Sequence, residues 1–356
     1  MTDQAGSNRT RSGPGFNREG KLQLPPLIFG ATSLGNMFRA IDDEEKNDIV
    51  AAWIDSGFSP VVIDTAGKYG AGLSLEVIGR ELEALEADPN QVFISNKLGW
   101  RRTPLVTPEP TFEPGAWVDL KFDAVQDISY DGILRCWEEG NQLLGKFSAQ
   151  LVSVHDPDEY LAAATDRTDR SRRMDDILGA YRALIELRDA GQVLATGVGA
   201  KNWQTIRELS EHCDFDWVMF ANSFTIMQHP PALIELMHSL AARGVTLINS
   251  ALFHGGFLLG GEFFNYRAVD PQDSADAQML KWREQFQQCC EAHQISPFNA
   301  GVAFGRSHPS IRSIALSSSR ADRVESHIQS LDSQVPSEFW LEMKHLHLID
   351  PSYPYV

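Results

Sequence analysis

Residues 61–98 read VVIDTAGKYGAGLSLEVIGRELEALEADPNQVFISNKL, and this stretch decides the fold class. An apolar run ends at Asp64, a segment with helical spacing of its apolar residues follows, and a second apolar run ends at Lys97. A strand, an amphipathic helix and another strand in this order form a parallel βαβ unit, because parallel strands need a crossover connection. The stretch therefore predicts a parallel sheet with helices packed against it.

The same alternation of short apolar runs and amphipathic segments continues along the chain. It predicts eight strands, at residues 27–30, 61–64, 92–97, 151–155, 195–199, 217–222, 246–250 and 311–316. Eight βα units favour an α/β fold of the closed (β/α)8 type, the TIM barrel, over an open doubly wound sheet.

The ends of the chain and one internal stretch depart from this alternation. Residues 1–20 are polar and lack a hydrophobic period, which predicts a disordered tail before a single barrel domain at 21–356. Residues 99–128 are rich in Pro and too long for an ordinary βα loop. Aromatic residues continue after Asp332 in a C-terminal extension. The long loop and the extension are both candidate walls of a substrate pocket.

Composition excludes several classes of function. The 356 residues carry a formal net charge of -17, which opposes binding to nucleic acid or anionic membranes. The sequence contains no apolar run of bilayer length, and its first twenty residues lack the apolar centre of a signal peptide. We expect a cytoplasmic protein whose four cysteines are reduced. The oligomeric state is open.

Polar residues end three consecutive predicted strands. Asp64, Lys97 and His155 each stand where an apolar run stops, and Tyr69 follows Asp64 by five residues. In a parallel barrel the carboxyl ends of the strands meet at one face, where active sites are built. A single strand-end Asp or Lys is often structural, but four such groups at neighbouring positions predict a catalytic cluster.

The chemistry of this cluster follows from the acidity of its groups. A phenol with a pKa near 10 is a poor acid or base at neutral pH until a cation stabilises its phenolate. Lys97 can supply that cation, Asp64 can orient the ammonium group, and His155 can donate a hydrogen bond to a substrate oxygen. Together these groups can catalyse the interconversion of a carbonyl and an alcohol. Such a reaction needs a hydride carrier, a nicotinamide or a flavin.

Two other classes of function compete with this hypothesis. A metal enzyme is disfavoured because the ten histidines show no H-x-x-x-H spacing and no paired carboxylates end the strands. A non-catalytic NAD(P)-binding redox sensor or regulatory subunit is the alternative, and the intact set of four groups argues against it.

The sequence resembles the aldo-keto reductase superfamily at these residues. The resemblance runs from about Leu24 to Pro351 through DTAGKYGAGLSLEVIGREL, VFISNKLG, LVSVHDPD and ALSSSRADRVESHI. The family's catalytic Asp, Tyr, Lys and His fall on Asp64, Tyr69, Lys97 and His155. LIFGATSLGNMFRAIDDEE and the terminal LIDPSYPYV are similar to the branch of D-threo-aldose (L-fucose) 1-dehydrogenases and pyridoxal 4-dehydrogenases.

No G-x-G-x-x-G stretch indicates a Rossmann site. The resemblance implies instead that NAD or NADP lies across the barrel mouth. Barrels often bind phosphates at the loops after strands 7 and 8, which here read NSALFHGGFLLGG and ALSSSRADRVESH. Glycines there either admit a pyrophosphate or only permit a turn. We predict cofactor contacts from Thr32, Asp64, Asn202, Ser250, Phe253, Gly255, Gly256, Leu258, Ser317, Ser318, Arg320 and Arg323.

Two departures from the family pattern bear on the cofactor. Relatives that prefer NADP often carry Lys where this chain has Ser317 and Asn where it has His327, so the preference between NAD and NADP is open. Relatives commonly hold the nicotinamide amide with a Ser-Asn pair after strand 5. The stretch here is GVGAKNW, which leaves the displaced Asn202 for that role.

The long loop supplies the candidate substrate contacts. Trp100, Arg102 and Phe122, with Arg101 and Trp117 as further candidates, suit stacking on a sugar or pyridine ring beside a guanidinium group. The alternative is that these residues only anchor the Pro-rich loop. We expect an aldose-like or small aldehyde substrate.

Overall fold

Eight parallel strands close into a barrel in the computed structural model, which describes residues 15–17, 20–265 and 267–356. The first strand pairs with both the second and the eighth, with Gly30 opposite Asp64 on one side and Ser317 on the other. All eight predicted strands and the (β/α)8 fold are confirmed. The strands are β1 Leu27–Gly30, β2 Val61–Ala66, β3 Val92–Leu98, β4 Ala149–His155, β5 Ala195–Ala200, β6 Trp217–Ala221, β7 Thr246–Ser250 and β8 Ile311–Ser317.

Helices connect the strands and cover the outside of the barrel. Several begin at a side chain that satisfies a free backbone N–H, as where Asp42 accepts from the Glu45 N–H at 2.8 Å. The helices are α1 Asp43–Ile54, α2 Leu73–Ala84, α3 Tyr130–Leu144, α4 Pro157–Ala162, α5 Arg167–Asp189, α6 Trp203–Leu209, α7 Pro231–Ala242, α8 Ser274–Ala292, α9 Pro297–Ser307, α10 Asp322–Ser330 and α11 Ser337–His345.

The lower interior of the barrel is apolar. Large side chains such as Trp217 and Phe93 fill it and pack against Leu22 and Leu24, which precede β1. Phe16 pairs with Leu22 and packs on the same cluster. The described chain therefore packs against the barrel before residue 21, the predicted first residue of the barrel domain. Residues 1–14 and 18–19 of the predicted tail lie outside the described residues.

The long loop after β3 is a hairpin with a segment that crosses the barrel mouth. Trp100–Pro104 pairs antiparallel with Phe122–Gln126. In the segment between these two strands, Trp117 forms an isolated bridge with Met37, and the Ala116 carbonyl accepts from the Phe38 N–H at 2.8 Å. The segment at 113–118 is thereby attached to the loop that follows β1.

The C-terminal extension packs on the outside of the barrel. Helix α11 lies against α8, and the Trp282 indole N–H donates to the Leu348 carbonyl at 3.1 Å. Tyr353 is buried in the largest apolar cluster. No helix within the described ranges combines the length and the apolar composition needed to cross a bilayer.

Candidate active site

A cavity of about 1140 Å³ opens at the carboxyl ends of the strands. Its wall contains the four predicted catalytic residues, Asp64, Tyr69, Lys97 and His155. The size suits an extended ligand, since sites for drug-sized molecules span about 300–1,000 Å³. Apart from Ser333, the C-terminal extension contributes nothing to this wall, so its predicted role as a pocket wall is not supported.

Asp64 and Lys97 form a buried ion pair at the floor of the cavity. Lys97 Nζ donates to Asp64 Oδ2 and, at 3.3 Å, to the Thr65 carbonyl. Asp64 also accepts from the Ser95 hydroxyl at 3.1 Å through its other carboxylate oxygen. Both side chains are almost fully buried, so the ammonium group can be held there only because the carboxylate and the carbonyl compensate for its lost hydration.

The loop that carries Tyr69 is fixed by a close backbone contact. Gly70 has a φ of 63°, and a Cβ atom at this position would lie 2.4 Å from the Gly35 carbonyl oxygen. Only glycine fits both the left-handed conformation and this approach. The Ser74 N–H donates to the Tyr69 carbonyl at 3.2 Å. These contacts hold the phenol ring over the cavity.

The phenol of Tyr69 lies between the other groups of the cluster. Lys97 Nζ is 4.8 Å from the centre of its ring, and the His155 imidazole meets it edge-on with centroids 5.7 Å apart. On a third side the Trp117 indole lies 5.8 Å away, between centroids. A cation, a neutral donor and an apolar plane therefore surround one proton-carrying group.

His155 is buried at the end of β4. Burial, together with the ammonium groups of Lys68, Lys97 and Lys201, holds the pKa of its imidazole well below the usual value. The ring is therefore neutral near pH 7 and can donate one N–H. Its Nδ1 atom has no hydrogen-bond partner among the described residues. A buried polar atom without a partner is expected where a ligand supplies the missing hydrogen bond.

The loops after β7 and β8 supply most of the predicted cofactor wall. Of the cofactor residues predicted from sequence, the cavity is lined by Thr32, Asp64, Ser250, Phe253, Gly255, Gly256, Ser317, Ser318 and Arg323. Gly256 has a φ of 92°, and a Cβ atom there would meet nothing within 4 Å, which leaves its backbone open to a ligand. This region can accept the phosphates of a dinucleotide.

Three predicted cofactor residues lie outside the cavity wall. The Asn202 side chain caps α6 by accepting from the Gln204 N–H at 2.8 Å. Leu258 is fully buried in the apolar core. Arg320 is turned away and paired with Asp322. These side chains are occupied by helix capping, core packing and ion pairing. Nothing in the sequence distinguished them from neighbouring residues that do line the cavity.

Asn222, at the end of β6, is a cavity residue that the sequence analysis missed. Its Oδ1 atom is buried and accepts no hydrogen bond from any described residue. An unpaired buried amide oxygen costs free energy and indicates a missing donor. The signal was present, because Asn222 ends a predicted strand just as Asp64 and His155 do.

The predicted substrate residues Trp100, Arg102 and Phe122 do not line the cavity. Arg102 donates through Nε to the Ala71 carbonyl at 2.8 Å and stacks on the Phe122 ring at 4.2 Å. Trp100 packs beneath the loop against Phe112. These side chains anchor the hairpin, and the cavity wall gives no support to the prediction that they contact substrate. Trp117 does reach the cavity.

One group of possible metal ligands lies away from the cavity. Cys289, His293 and Glu342 place their ligand atoms within 4.8 Å of one another between α8 and α11. His293 and Glu342 already form an ion pair at 2.7 Å, which accounts for two of the three groups.

A closed (β/α)8 barrel with a cavity and buried titratable side chains at the carboxyl ends of its strands defines a barrel enzyme. The profile of the Aldo/keto reductase family matches residues 26–347, and the chain belongs to this family. It is accordingly an oxidoreductase, of a family that works with nicotinamide cofactors on small molecules.

Curated relatives and solved structures are similar along nearly the whole chain. A pyridoxal 4-dehydrogenase of Microbacterium luteolum is 26% identical, over 92% of this chain and 95% of that protein. A D-threo-aldose 1-dehydrogenase of Pseudomonas sp is 25% identical, with the same coverage. The resemblance to this branch is thus confirmed.

The fold comparisons agree. An aldo-keto reductase of Bacillus halodurans in its holo form superposes with a TM-score of 0.64 at 18% identity, over 90% of this chain and 91% of that one. A glycerol dehydrogenase of Gluconobacter oxydans gives a TM-score of 0.61 at 17% identity, over 92% and 95%.

Proposed function

We propose that this protein is an NAD(P)-dependent oxidoreductase that interconverts a carbonyl and an alcohol, or oxidises a lactol, on an aldose-like or small aldehyde substrate. Tyr69 is its general acid and base. The observation that carries the proposal is the position of the Tyr69 ring between Lys97 Nζ and the neutral His155 imidazole in one cavity. The names of the two curated relatives, which act on an aldose and on pyridoxal, support this class of substrate.

Each residue has a distinct task in the oxidation of a hydroxyl or lactol. The Tyr69 phenolate accepts the hydroxyl proton while the carbon loses a hydride. The Lys97 ammonium group stabilises the phenolate, and Asp64 keeps that ammonium in place. His155 donates a hydrogen bond to the substrate oxygen. A bound nicotinamide supplies the hydride acceptor for oxidation, or the donor for reduction.

The residues of the cavity fit a nicotinamide dinucleotide. The unpaired Asn222 Oδ1 can accept from a carboxamide N–H, and it takes the role expected of Asn202. The loops at Gly255–Gly256 and Ser317–Ser318 can hold the phosphates. Arg323 lines the cavity and forms no ion pair with any residue of the described ranges, whereas Arg320 is held by Asp322. Arg323 is thus the cation available to a 2′-phosphate.

The first experiment is a calorimetric titration with NAD and NADP separately. Turnover of a panel of aldoses and aldehydes is then followed at 340 nm with the tighter cofactor. We expect binding and turnover of at least one aldose or aldehyde. Cofactor binding without turnover of any compound would contradict the proposal and favour the non-catalytic sensor. Arg323→Gln separates the cofactors, because it should weaken NADP and leave NAD unchanged.

The pH dependence tests the direction of the reaction. If oxidation is the working direction, the rate should rise from neutral to alkaline pH as the phenol ionises. His155 should add no break near its ordinary pKa of about 6.5, since its ring stays neutral across this range. A flat profile between neutral and alkaline pH would count against oxidation through a phenolate.

A further inference from the structure

A buried ammonium group joins three loops at the mouth of the cavity. Lys68, next to Tyr69, has a side chain that is 4% exposed, and its Nζ lies 2.6 Å from Glu113 Oε1, in the long loop. The same atom lies 3.4 Å from Glu159 Oε2 and 3.9 Å from Asp156 Oδ2, two residues that follow β4. Burial alone would lower the pKa of Lys68, but these carboxylates raise it above its ordinary value.

Glu113 connects this ammonium group to the aromatic wall of the cavity. Its second oxygen accepts from the Trp117 indole N–H at 2.7 Å. Trp117 is buried and lies over the Tyr69 ring. One carboxylate therefore binds Lys68 with one oxygen and orients the indole with the other.

Lys201 shares two of these carboxylates with Lys68. Its ammonium group contacts Glu159 and lies 3.3 Å from Asp156 Oδ2. Both cations of this cluster are thus engaged by carboxylates, and their two positive charges face the three negative charges of Glu113, Asp156 and Glu159.

We propose that the Lys68–Glu113 pair determines substrate specificity by charge: the cavity takes an uncharged, hydroxyl-bearing ring and rejects the same ring carrying a phosphate. Carboxylates of the mouth accept hydrogen bonds from hydroxyl groups, and the indole of Trp117 gives the ring an apolar face. A phosphate would meet the Glu113 and Asp156 carboxylates and could reach the buried ammonium group of Lys68 only by displacing the Glu113 carboxylate. This inference names the substrate class of the proposed function and rests on it.

The test compares an aldohexose that the enzyme oxidises with its 6-phosphate. Both form a six-membered lactol, so the reacting group is the same in the two compounds. In the unaltered enzyme we expect kcat/KM for the phosphate ester to be at least about a hundredfold lower. The difference should appear in KM more than in kcat, because the charge acts on binding.

Two variants should shift this ratio in opposite directions. Glu113→Gln removes a negative charge but keeps an oxygen for the Trp117 indole, so it should improve the ester relative to the sugar by about tenfold. Lys68→Met leaves the Glu113 carboxylate without its cation and should worsen the ester by a similar factor. Lys68→Arg should restore the original ratio. If the pair had a purely structural role, both variants would lower kcat/KM for the sugar and for the ester alike. The ratio of the two values would then not change in opposite directions in the two variants.

The matched control is the exposed pair of Lys146 and Glu83, whose charged atoms lie 2.5 Å apart outside the cavity. Lys146→Met and Glu83→Gln should leave the ratio unchanged. Equal kcat/KM for sugar and ester in the unaltered enzyme, or an unmoved ratio in both cluster variants, would overturn the inference. Sugar and ester binding is also measured by quenching of tryptophan fluorescence. This measurement distinguishes two outcomes. Failure of turnover would contradict the proposed function, whereas equal affinity for both compounds would contradict charge selection.

Discussion

The two ends of the barrel are built by the same eight strands but hold opposite kinds of side chain. At the lower end, Phe16, Leu22 and Trp217 belong to a cluster of apolar side chains. At the mouth, Asp64 and Lys97 are equally buried but charged. Burying apolar surface stabilises the fold, whereas burying charges costs free energy unless they are compensated. The lower end therefore serves stability and the mouth serves chemistry, and substitutions should separate the two.

The largest effect is expected at the mouth from Tyr69→Phe. Removing the phenolic oxygen removes the proton carrier, so kcat should fall by about a hundredfold to ten-thousandfold. Cofactor affinity, measured by titration, and the thermal unfolding midpoint should stay nearly unchanged. Tyr130→Phe, which removes a phenol on the outer helix α3, is the control and should retain full turnover. Retained turnover in Tyr69→Phe would refute the mechanism.

At the lower end, Trp217→Ala should have the reverse effect, a loss of stability with turnover nearly unchanged. This side chain is fully buried, and its loss should destabilise the protein by about 3 to 5 kcal/mol. Thermal unfolding should show a lower midpoint, with kcat per folded molecule close to that of the original. Gly197→Ala tests the same packing from the other side, because the added Cβ would lie 2.2 Å from the indole of Trp217. Loss of turnover at unchanged stability would show that the two ends are not independent.

A smaller effect distinguishes two asparagines near the mouth. Asn222→Ala should weaken cofactor binding by about tenfold, the value of one lost hydrogen bond to a buried amide. Asn202→Ala should leave cofactor affinity unchanged and slightly lower the unfolding midpoint, because its side chain caps α6. Calorimetric titration of both variants decides between the residue expected from sequence and the residue found in the structure.

The difference between strand ends and loops also explains how much the sequence could predict. Alternation along a strand fixes which side chains face the interior, so Asp64, Lys97 and His155 could be placed at the mouth from their position alone. The eight strands followed from the same periodicity. Asn222 obeyed this rule as well and could have been found by it.

The directions of loop side chains could not be predicted from the sequence, because they depend on distant contacts. Arg102 and Phe122 face each other across a hairpin, and nothing in the local sequence specifies that pairing. Trp117 reaches the cavity because its segment pairs with residues 36–38, some eighty positions earlier. Glu113 and Lys68 meet for the same reason. Such contacts between segments far apart in sequence leave no periodic signal.

The last prediction concerns acid stability, to which the lower cluster contributes nothing because its side chains do not titrate in this range. Burial lowers the pKa of His327, in the cavity wall, to about 4, with Arg323 acting in the same direction. An unfolded histidine takes up a proton near pH 6.5, so stability is complete above that pH and falls as pH drops toward 4. Each such histidine lowers the free energy of unfolding by up to about 1.4 kcal/mol per pH unit within this window. His327→Leu should therefore flatten the fall of the unfolding midpoint between pH 6.5 and 5, while Trp217→Ala should lower the midpoint equally at every pH. Parallel curves for His327→Leu and the original protein would show that this histidine is protonated as readily in the folded chain as in the unfolded one.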